Sequence, residues 1–219
     1  MGKISILRPE QALVLNALAK EDTITRAFYF TGGTALSDVY LQHRDSVDLD
    51  FFSEKPVDQL IIKALLTTLF QPEQISFDVQ YVEPVMMCFL KFPNGHTLKV
   101  DFAQYPYRQI EESKKFIGKL RVDSLRDIAT NKMQAITQRH EVKDYVDFYY
   151  LLKHFTFWDL RTATAEKFHT DVEPFYFSSD LLAVDDFTFL PKMYTDLTLE
   201  TLKTFFREQA VMLGKTMVE

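Results

Sequence analysis

The sequence feature that most constrains the fold is a glycine turn followed closely by a pair of carboxylates. The turn is Thr31-Gly32-Gly33-Thr34, which comes after the short apolar run Phe28-Tyr29-Phe30. The pair is Asp48 and Asp50, one residue apart within residues 47–52, an apolar segment typical of a β-strand. Because side chains alternate along a strand, both carboxylates point the same way. Two carboxylates side by side on an apolar strand raise the free energy of the fold unless a positive charge lies between them. The pattern therefore predicts a divalent cation.

The glycine turn predicts an anion site beside that cation. Unhindered backbone at Gly32 and Gly33, between a strand and a helix, lets N–H groups converge on a phosphate. The hydroxyl of Thr31 or Thr34 can add a donor. The alternative is a tight strand–helix turn with no ligand, which is the commoner origin of two adjacent glycines. Phosphate binding next to metal-binding carboxylates indicates nucleoside triphosphate chemistry.

A third carboxylate, Asp101, lies in the strand-like segment Leu98-Lys99-Val100-Asp101-Phe102. If this strand and the strand of Asp48 and Asp50 are neighbours in one sheet, three carboxylates converge. Three carboxylates suffice for two hard cations that prefer oxygen ligands. Taken alone, Asp101 reads equally well as a charge on an edge strand.

Composition and charge exclude several classes of protein. The chain of 219 residues holds one cysteine, Cys88, which excludes an internal disulfide and a multi-cysteine zinc site. It shows neither an apolar signal core near Met1 nor a membrane-length apolar run, so we expect a cytoplasmic protein. The net charge is -6, yet residues 108–143 carry 9 Lys+Arg against 5 Asp+Glu. That basic segment fits phosphate binding or an ordinary solvated face.

The hydrophobic pattern changes character near residue 124. Residues 1–123 alternate predicted helices and strands, with strands at 75–82, 85–92 and 97–103. We expect them to form a catalytic core, and residues 124–219 to form a helical C-terminal domain. One predicted helix, residues 56–70, is amphipathic. Its expected apolar side consists of Leu60, Ile61, Ala64, Leu65 and Leu69.

The helical half carries a row of basic residues. Lys132, Arg139 and Lys143 are spaced by 7 and 4, so they share one face if a single helix runs through them. A solvated helix face explains the same spacing. The helix can also break near His140, with Asp144 capping the next one.

Taken together, these residues resemble the DNA polymerase beta-like nucleotidyltransferase superfamily. Within it, the sequence is similar to the AbiEii/AbiGii-type toxin branch, and the resemblance covers about residues 28–152. The motifs that carry it are residues 29–36, residues 44–52, Lys99-Val100-Asp101-Phe102, residues 128–132, Arg139 and residues 143–147.

The resemblance implies an α+β fold, with a mixed sheet flanked by helices and followed by a helical C-terminal part. It implies transfer of a nucleotidyl group from an NTP to an acceptor, with Mg²⁺ or Mn²⁺. Asp48, Asp50 and Asp101 would hold the metal, and Asp101 would also help to deprotonate the acceptor hydroxyl. Lys132 and Asp144 match the distal catalytic motifs of the branch. The nucleotide would be bound by Thr31, Gly32, Gly33, Thr34, Lys132 and Arg139.

The resemblance also implies partners. The chain would be the toxin of a type IV toxin–antitoxin system, with an antitoxin encoded nearby, RNA such as the 3′ end of tRNA as acceptor, and no membrane. An alternative keeps the chemistry but uses a small-molecule acceptor, such as an aminoglycoside, or a protein side chain. Another is a non-catalytic binding module that keeps the fold. Asp48, Asp50 and Asp101 argue against that module, because a dead site has no physical reason to retain three converging acids.

Overall fold

The computed structural model describes residues 5–215, which divide into two compact units. The first unit comprises residues 5–40 and 46–124, and the second comprises residues 41–45 and 125–215. The short segment 41–45 therefore packs with the helical half, although it precedes most of the strands in sequence.

Seven strands of the first unit form one mixed sheet within residues 5–215. They are β1 (Tyr29–Thr31), β2 (Leu49–Ser53), β3 (Ser76–Val82), β4 (Val85–Lys91), β5 (Thr97–Gln104), β6 (Lys114–Ile117) and β7 (Leu120–Val122). Their order is β3-β4-β5-β2-β1-β7-β6. β2 runs parallel to β5 and β1 parallel to β7, whereas the other neighbours are antiparallel.

Helices occupy both units. Those that begin in the first unit are α1 (Pro9–Leu18), α2 (Asp22–Ala27), α3 (Gly32–Ala35), which continues as a π-helical stretch (Leu36–Leu41), and α4 (Gln59–Phe70). Those of the second unit are α5 (Leu125–Ile136), α6 (Val142–Leu151), α7 (Phe157–Phe168), α8 (Pro174–Leu182), a 3₁₀ turn (Ala183–Asp186) and α9 (Leu199–Lys215). The predicted α+β class is confirmed. No helix in residues 5–215 combines the length and apolarity that crossing a membrane requires.

One face of the central strands β2 and β5 is buried, and this burial fixes their register. Leu49 and Phe51 of β2 are completely inaccessible, as are Val100 and Phe102 of β5. The rings of Phe51 and Phe102 stack with centroids 5.3 Å apart. Each such side chain contributes about 2 kcal/mol by leaving water. A slip by one residue would expose all of these side chains, so the alternate residues are held on the other face.

The buried side of α4 differs from the predicted one. The helix begins after Asp58, whose carboxylate accepts hydrogen bonds from the N–H groups of Leu60 and Ile61. Leu60 is 79% exposed and Ile61 is 51% exposed, so the predicted apolar side was wrong. Apolar residues lie almost all around this helix, so periodicity could not select the side that packs. The buried side consists of Ile62, Leu66 and Phe70.

Truncating two leucines of α4 tests this assignment. We expect Leu66→Ala to lower the free energy of unfolding by about 2–5 kcal/mol, because Leu66 is fully buried. Leu60→Ala, the matched control on the same helix, should change it by less than about 0.5 kcal/mol. Urea unfolding of both variants measures the difference, and equal losses would contradict the assignment.

Candidate active site

Two predicted site residues, Asp50 and Asp101, lie side by side in the sheet. β2 and β5 run parallel, and their register pairs Asp50 with Asp101 directly. Neighbouring strands are about 5 Å apart, so residues paired in this way point to the same face of the sheet. Both carboxylates lie on the face opposite the buried core, because Leu49, Phe51, Val100 and Phe102 occupy the other face.

Asp48 comes one residue before β2, and together Asp48, Asp50 and Asp101 make up what we call the acid cluster. A lysine from the same strand as Asp101 lies among them. The ammonium of Lys99 donates a hydrogen bond to Asp101 Oδ2 at 2.5 Å. Burial tends to lower the pKa of Lys99, but that hydrogen bond and the charges of all three carboxylates leave its pKa raised. A positive charge supplied by the chain itself therefore lies against Asp101, within electrostatic reach of Asp48 and Asp50.

The glycine turn makes room for one member of the acid cluster. Gly32 has φ +74°, in the region that favours glycine, and is the first residue of α3. A Cβ at Gly32 would lie 2.0 Å from Oδ2 of Asp50 and 2.9 Å from its Cβ. Glycine is therefore needed at this position both for the turn and for the short distance between this backbone and Asp50, because any larger residue would displace Asp50.

The two threonines of the turn use their hydroxyls inside the protein. Thr31 is buried, and its hydroxyl donates to Oδ2 of the buried Asp123 at 2.9 Å. Thr34 is also buried, and its hydroxyl donates to the backbone carbonyl of Asp48. These bonds tie β1 to the end of β7 and the start of α3 to the segment before β2. Both threonines thus help to fix the turn against the acid cluster, whereas Gly32 and Gly33 are half-buried.

Two members of the acid cluster, Asp50 and Asp101, offer oxygen donors that suit a hard cation. No group of three or more His, Cys, Asp or Glu side chains in the described residues 5–215 is arranged to hold a metal ion. Mg²⁺ is commonly bound by one or two carboxylates, with water and substrate phosphates completing its shell. The in-register pair of Asp50 and Asp101 meets that requirement.

The distal residues predicted from the sequence lie in the second unit, in a buried charge network. Lys132 of α5 donates to Asp144 Oδ1 at 2.7 Å and lies 2.6 Å from Asp147 Oδ2. Asp144 and Asp147 are three residues apart on α6, so they share one face of that helix. Burial works to lower the pKa of Lys132, but the charges of Asp147 and Asp144 overcome it and leave the pKa raised.

Segment 41–45 completes this network. Arg44 donates from Nε and Nη2 to the two oxygens of Asp147, at 2.7 and 2.8 Å. His43 Nε2 lies 2.7 Å from Asp147 Oδ1, and burial lowers the pKa of this histidine. Burial also acts to raise the pKa of Asp147, but the charges of Lys132 and Arg44 hold it well below its ordinary value.

The helix breaks between Lys132 and Lys143, which is one of the two alternatives that the sequence left open, although Glu141 and not Asp144 occupies the N-cap of the second helix. α5 ends at Ile136 and α6 begins at Val142, so the three basic residues do not share one helical face. Arg139 nevertheless reaches the network, because its Nε donates to Asp144 Oδ2 at 2.8 Å. Lys143 instead pairs with Glu141 at 3.0 Å. Arg139 therefore reaches Asp144 from the loop between α5 and α6.

Sequence reasoning assigned no site role to four residues that the structure places in these clusters. Lys99 could have been found, since its two-residue spacing from Asp101 puts both on one strand face. Asp147 had a similar signal in its three-residue spacing from Asp144. His43 and Arg44 carried none, because their partner Asp147 is more than 100 residues away in sequence.

Comparison with known proteins gives a family. A family model described as "Nucleotidyl transferase AbiEii toxin, Type IV TA system" matches residues 14–212. This match confirms the resemblance found in the sequence motifs. A curated relative, an uncharacterized protein of Aquifex aeolicus (strain VF5), is 34% identical over 142 residues. The matched region is 63% of this chain and spans 63% of that relative's length.

Solved structures show the same fold. MenT4, a nucleotidyltransferase toxin from Mycobacterium tuberculosis H37Rv, superposes with a TM-score of 0.58 at 16% identity, covering 93% of this chain and 81% of that one. JHP933 from Helicobacter pylori superposes with a TM-score of 0.56 at 22% identity, covering 94% and 89%. The sheet and helices are therefore those of a nucleotidyltransferase-like fold.

Replacing Gly32 tests the close approach to Asp50. We expect Gly32→Ala to lower the free energy of unfolding by about 3 kcal/mol or more, from left-handed backbone strain plus displacement of Asp50. Gly95→Ala is the matched control, because Gly95 also has positive φ but a Cβ there meets nothing within 4 Å. It should lose only about 1 kcal/mol. Equal losses in urea unfolding would contradict the packing of Asp50 on Gly32.

Neutralising Asp147 tests the buried charge network. At pH 7, Asp147→Asn should lower the free energy of unfolding by about 3–5 kcal/mol, since Lys132 and Arg44 lose a buried counter-charge. The folded-state pKa of Asp147 lies well below its ordinary value of 3.8, so its stabilisation is present above that pH and lost below it. The difference between wild type and variant should therefore shrink as the pH falls below 3.8.

A surface pair in the second unit provides the control for that experiment. Asp185 accepts a hydrogen bond from Arg207 at 2.9 Å, and both side chains are about half exposed. Asp185→Asn should change stability by less than about 1 kcal/mol at pH 7. Denaturant unfolding at several pH values measures both variants. A loss for Asp147→Asn as small as that for Asp185→Asn would show that the network does not stabilise this unit.

Proposed function

The chain belongs to the AbiEii nucleotidyl transferase toxin family, and we propose that it transfers a nucleotidyl group from an NTP to an acceptor with the help of a divalent metal. The observation that carries the proposal is the in-register pair of Asp50 and Asp101, packed against Gly32. A pair of hard oxygen donors beside a glycine turn suits a metal-bound triphosphate. Membership of this family and the nucleotidyltransferase-like fold support the class of reaction.

The proposed reaction is a displacement at the α-phosphorus. The acceptor hydroxyl oxygen forms a bond to the α-phosphorus, the bond from the α-phosphorus to the bridging oxygen breaks, and pyrophosphate leaves. The hydroxyl proton passes to a carboxylate oxygen of Asp101. When bound, Mg²⁺ or Mn²⁺ supplies charge neutralisation for the phosphate oxygens. Asp50 and Asp101 would hold that metal, and Asp48 would add a third carboxylate from the residue before β2.

The turn and the second unit have their own proposed roles. Since the hydroxyls of Thr31 and Thr34 are used internally, we assign phosphate binding to the backbone N–H groups of Gly32 and Gly33. Lys132 and Arg139 supply positive charge for phosphate oxygens, and Asp144 orients Lys132. The buried charge network pairs Lys132, Arg44 and Arg139 with Asp144 and Asp147, and Arg139 also lies 3.5 Å from Glu141.

We also propose the biological setting from the family. The chain acts as the toxin of a type IV toxin–antitoxin system, with an antitoxin encoded nearby and RNA, in particular the 3′ end of tRNA, as acceptor. The basic segment 108–143 is compatible with RNA phosphates. Incubation with labelled NTPs, Mg²⁺ and separate pools of total RNA, protein and aminoglycosides identifies the acceptor. Label in RNA alone supports this setting, and label in another pool replaces RNA with that acceptor.

Removing one carboxylate tests the catalytic proposal. We expect Asp50→Asn to lower nucleotidyl transfer at least about a thousandfold, because a metal ligand stabilises the transition state by several kcal/mol. Asp78→Asn is the matched control, since Asp78 is an exposed strand carboxylate paired with Lys91 on the same sheet. It should retain wild-type activity. Pyrophosphate release measures the rate and circular dichroism the fold; full activity in Asp50→Asn would exclude this site.

A further inference from the structure

The acid cluster already contains a cation, the ammonium of Lys99. Lys99 and Asp101 are two residues apart on β5, so their side chains share the face that carries Asp50. The Nζ–Oδ2 contact is 2.5 Å, with the lysine side chain 30% exposed and the carboxylate 12% exposed. The pair is therefore half-shielded from water, where charge–charge interactions are stronger than on an open surface.

Lys99 and a divalent ion would need the same oxygens. The acid cluster carries three negative charges, and the electrostatic influence of all three reaches Lys99. A metal bound to Asp101 would bring two positive charges next to the ammonium, so the two cations repel each other. A metal bound to a triphosphate is different, because its phosphates attract the ammonium while the metal takes its place among the carboxylates.

We propose that Lys99 is the internal counter-ion of the acid cluster, neutralising the carboxylates without metal and competing with the divalent cation for Asp101. The competition weakens binding of a bare divalent ion and so favours a metal–nucleotide complex as the species that the site accepts. This inference rests on the metal site of the proposed function. It does not depend on which acceptor is used.

The test measures metal binding without nucleotide. Mn²⁺ affinity is determined by electron paramagnetic resonance for wild type, Lys99→Met, Lys99→Arg and Lys91→Met, and the melting temperature of each is measured in EDTA. Lys91→Met is the matched control, because Lys91 forms a 2.5 Å pair with Asp78 on the neighbouring strand. Lys99→Met should bind Mn²⁺ about tenfold more tightly and melt at a lower temperature in EDTA. The arginine variant and the control should behave like wild type.

Further variants make the outcome decisive. The gain in Mn²⁺ affinity must vanish in Lys99→Met combined with Asp101→Asn; a gain that survives lies elsewhere and overturns the inference. Unchanged or weaker Mn²⁺ binding in Lys99→Met also overturns it, and Lys99→Gln replaces Lys99→Met if near-ultraviolet circular dichroism shows misfolding. Because Mn²⁺ binding is measured without nucleotide, the two proposals can fail separately. A tenfold gain in Mn²⁺ affinity in a protein that transfers no nucleotide would support the role of Lys99 and refute only the proposed function.

Discussion

The structure of the first unit depends on holding like charges close together at Asp50 and Asp101. Parallel pairing of β2 with β5 sets them side by side, and the buried aromatic face of the same strands prevents the register from slipping. Besides the strand pairing and the buried face, this arrangement requires Gly32, because only a residue without a Cβ leaves space for Asp50. The repulsion is reduced by Lys99, which makes a charged cluster compatible with a stable sheet.

The second unit is also stabilised by pairing carboxylates with cationic side chains. Two acids one turn apart on α6, Asp144 and Asp147, hold Lys132, Arg44 and Arg139 together. Asp147 accepts from two nitrogens of the Arg44 guanidinium, Nε and Nη2, an arrangement that fixes the orientation of Arg44 as well as pairing its charge. Burying charged groups costs free energy, and pairing each charge with an opposite one offsets that cost.

The sequence predicted much of the sheet because its signals are local. The predicted strands 85–92 and 97–103 agree closely with β4 (Val85–Lys91) and β5 (Thr97–Gln104). The packed side of α4 could not be predicted, since apolar residues surround most of that helix. The assignments of the acid cluster, the glycine turn, Lys132, Arg139 and Asp144 stay predictions. The roles of His43 and Arg44 were out of reach, because their pairing with Asp147 arises only from tertiary packing.

The central claim is that this chain transfers a nucleotidyl group and not a terminal phosphate. Parallel reactions with NTP labelled at the α-phosphate and at the γ-phosphate test it most directly. If the chain transfers a nucleotidyl group, the α label enters the acceptor and the γ label leaves in pyrophosphate. Label from the γ-phosphate in the acceptor, or no label from either position in RNA, protein or small molecules, would contradict it.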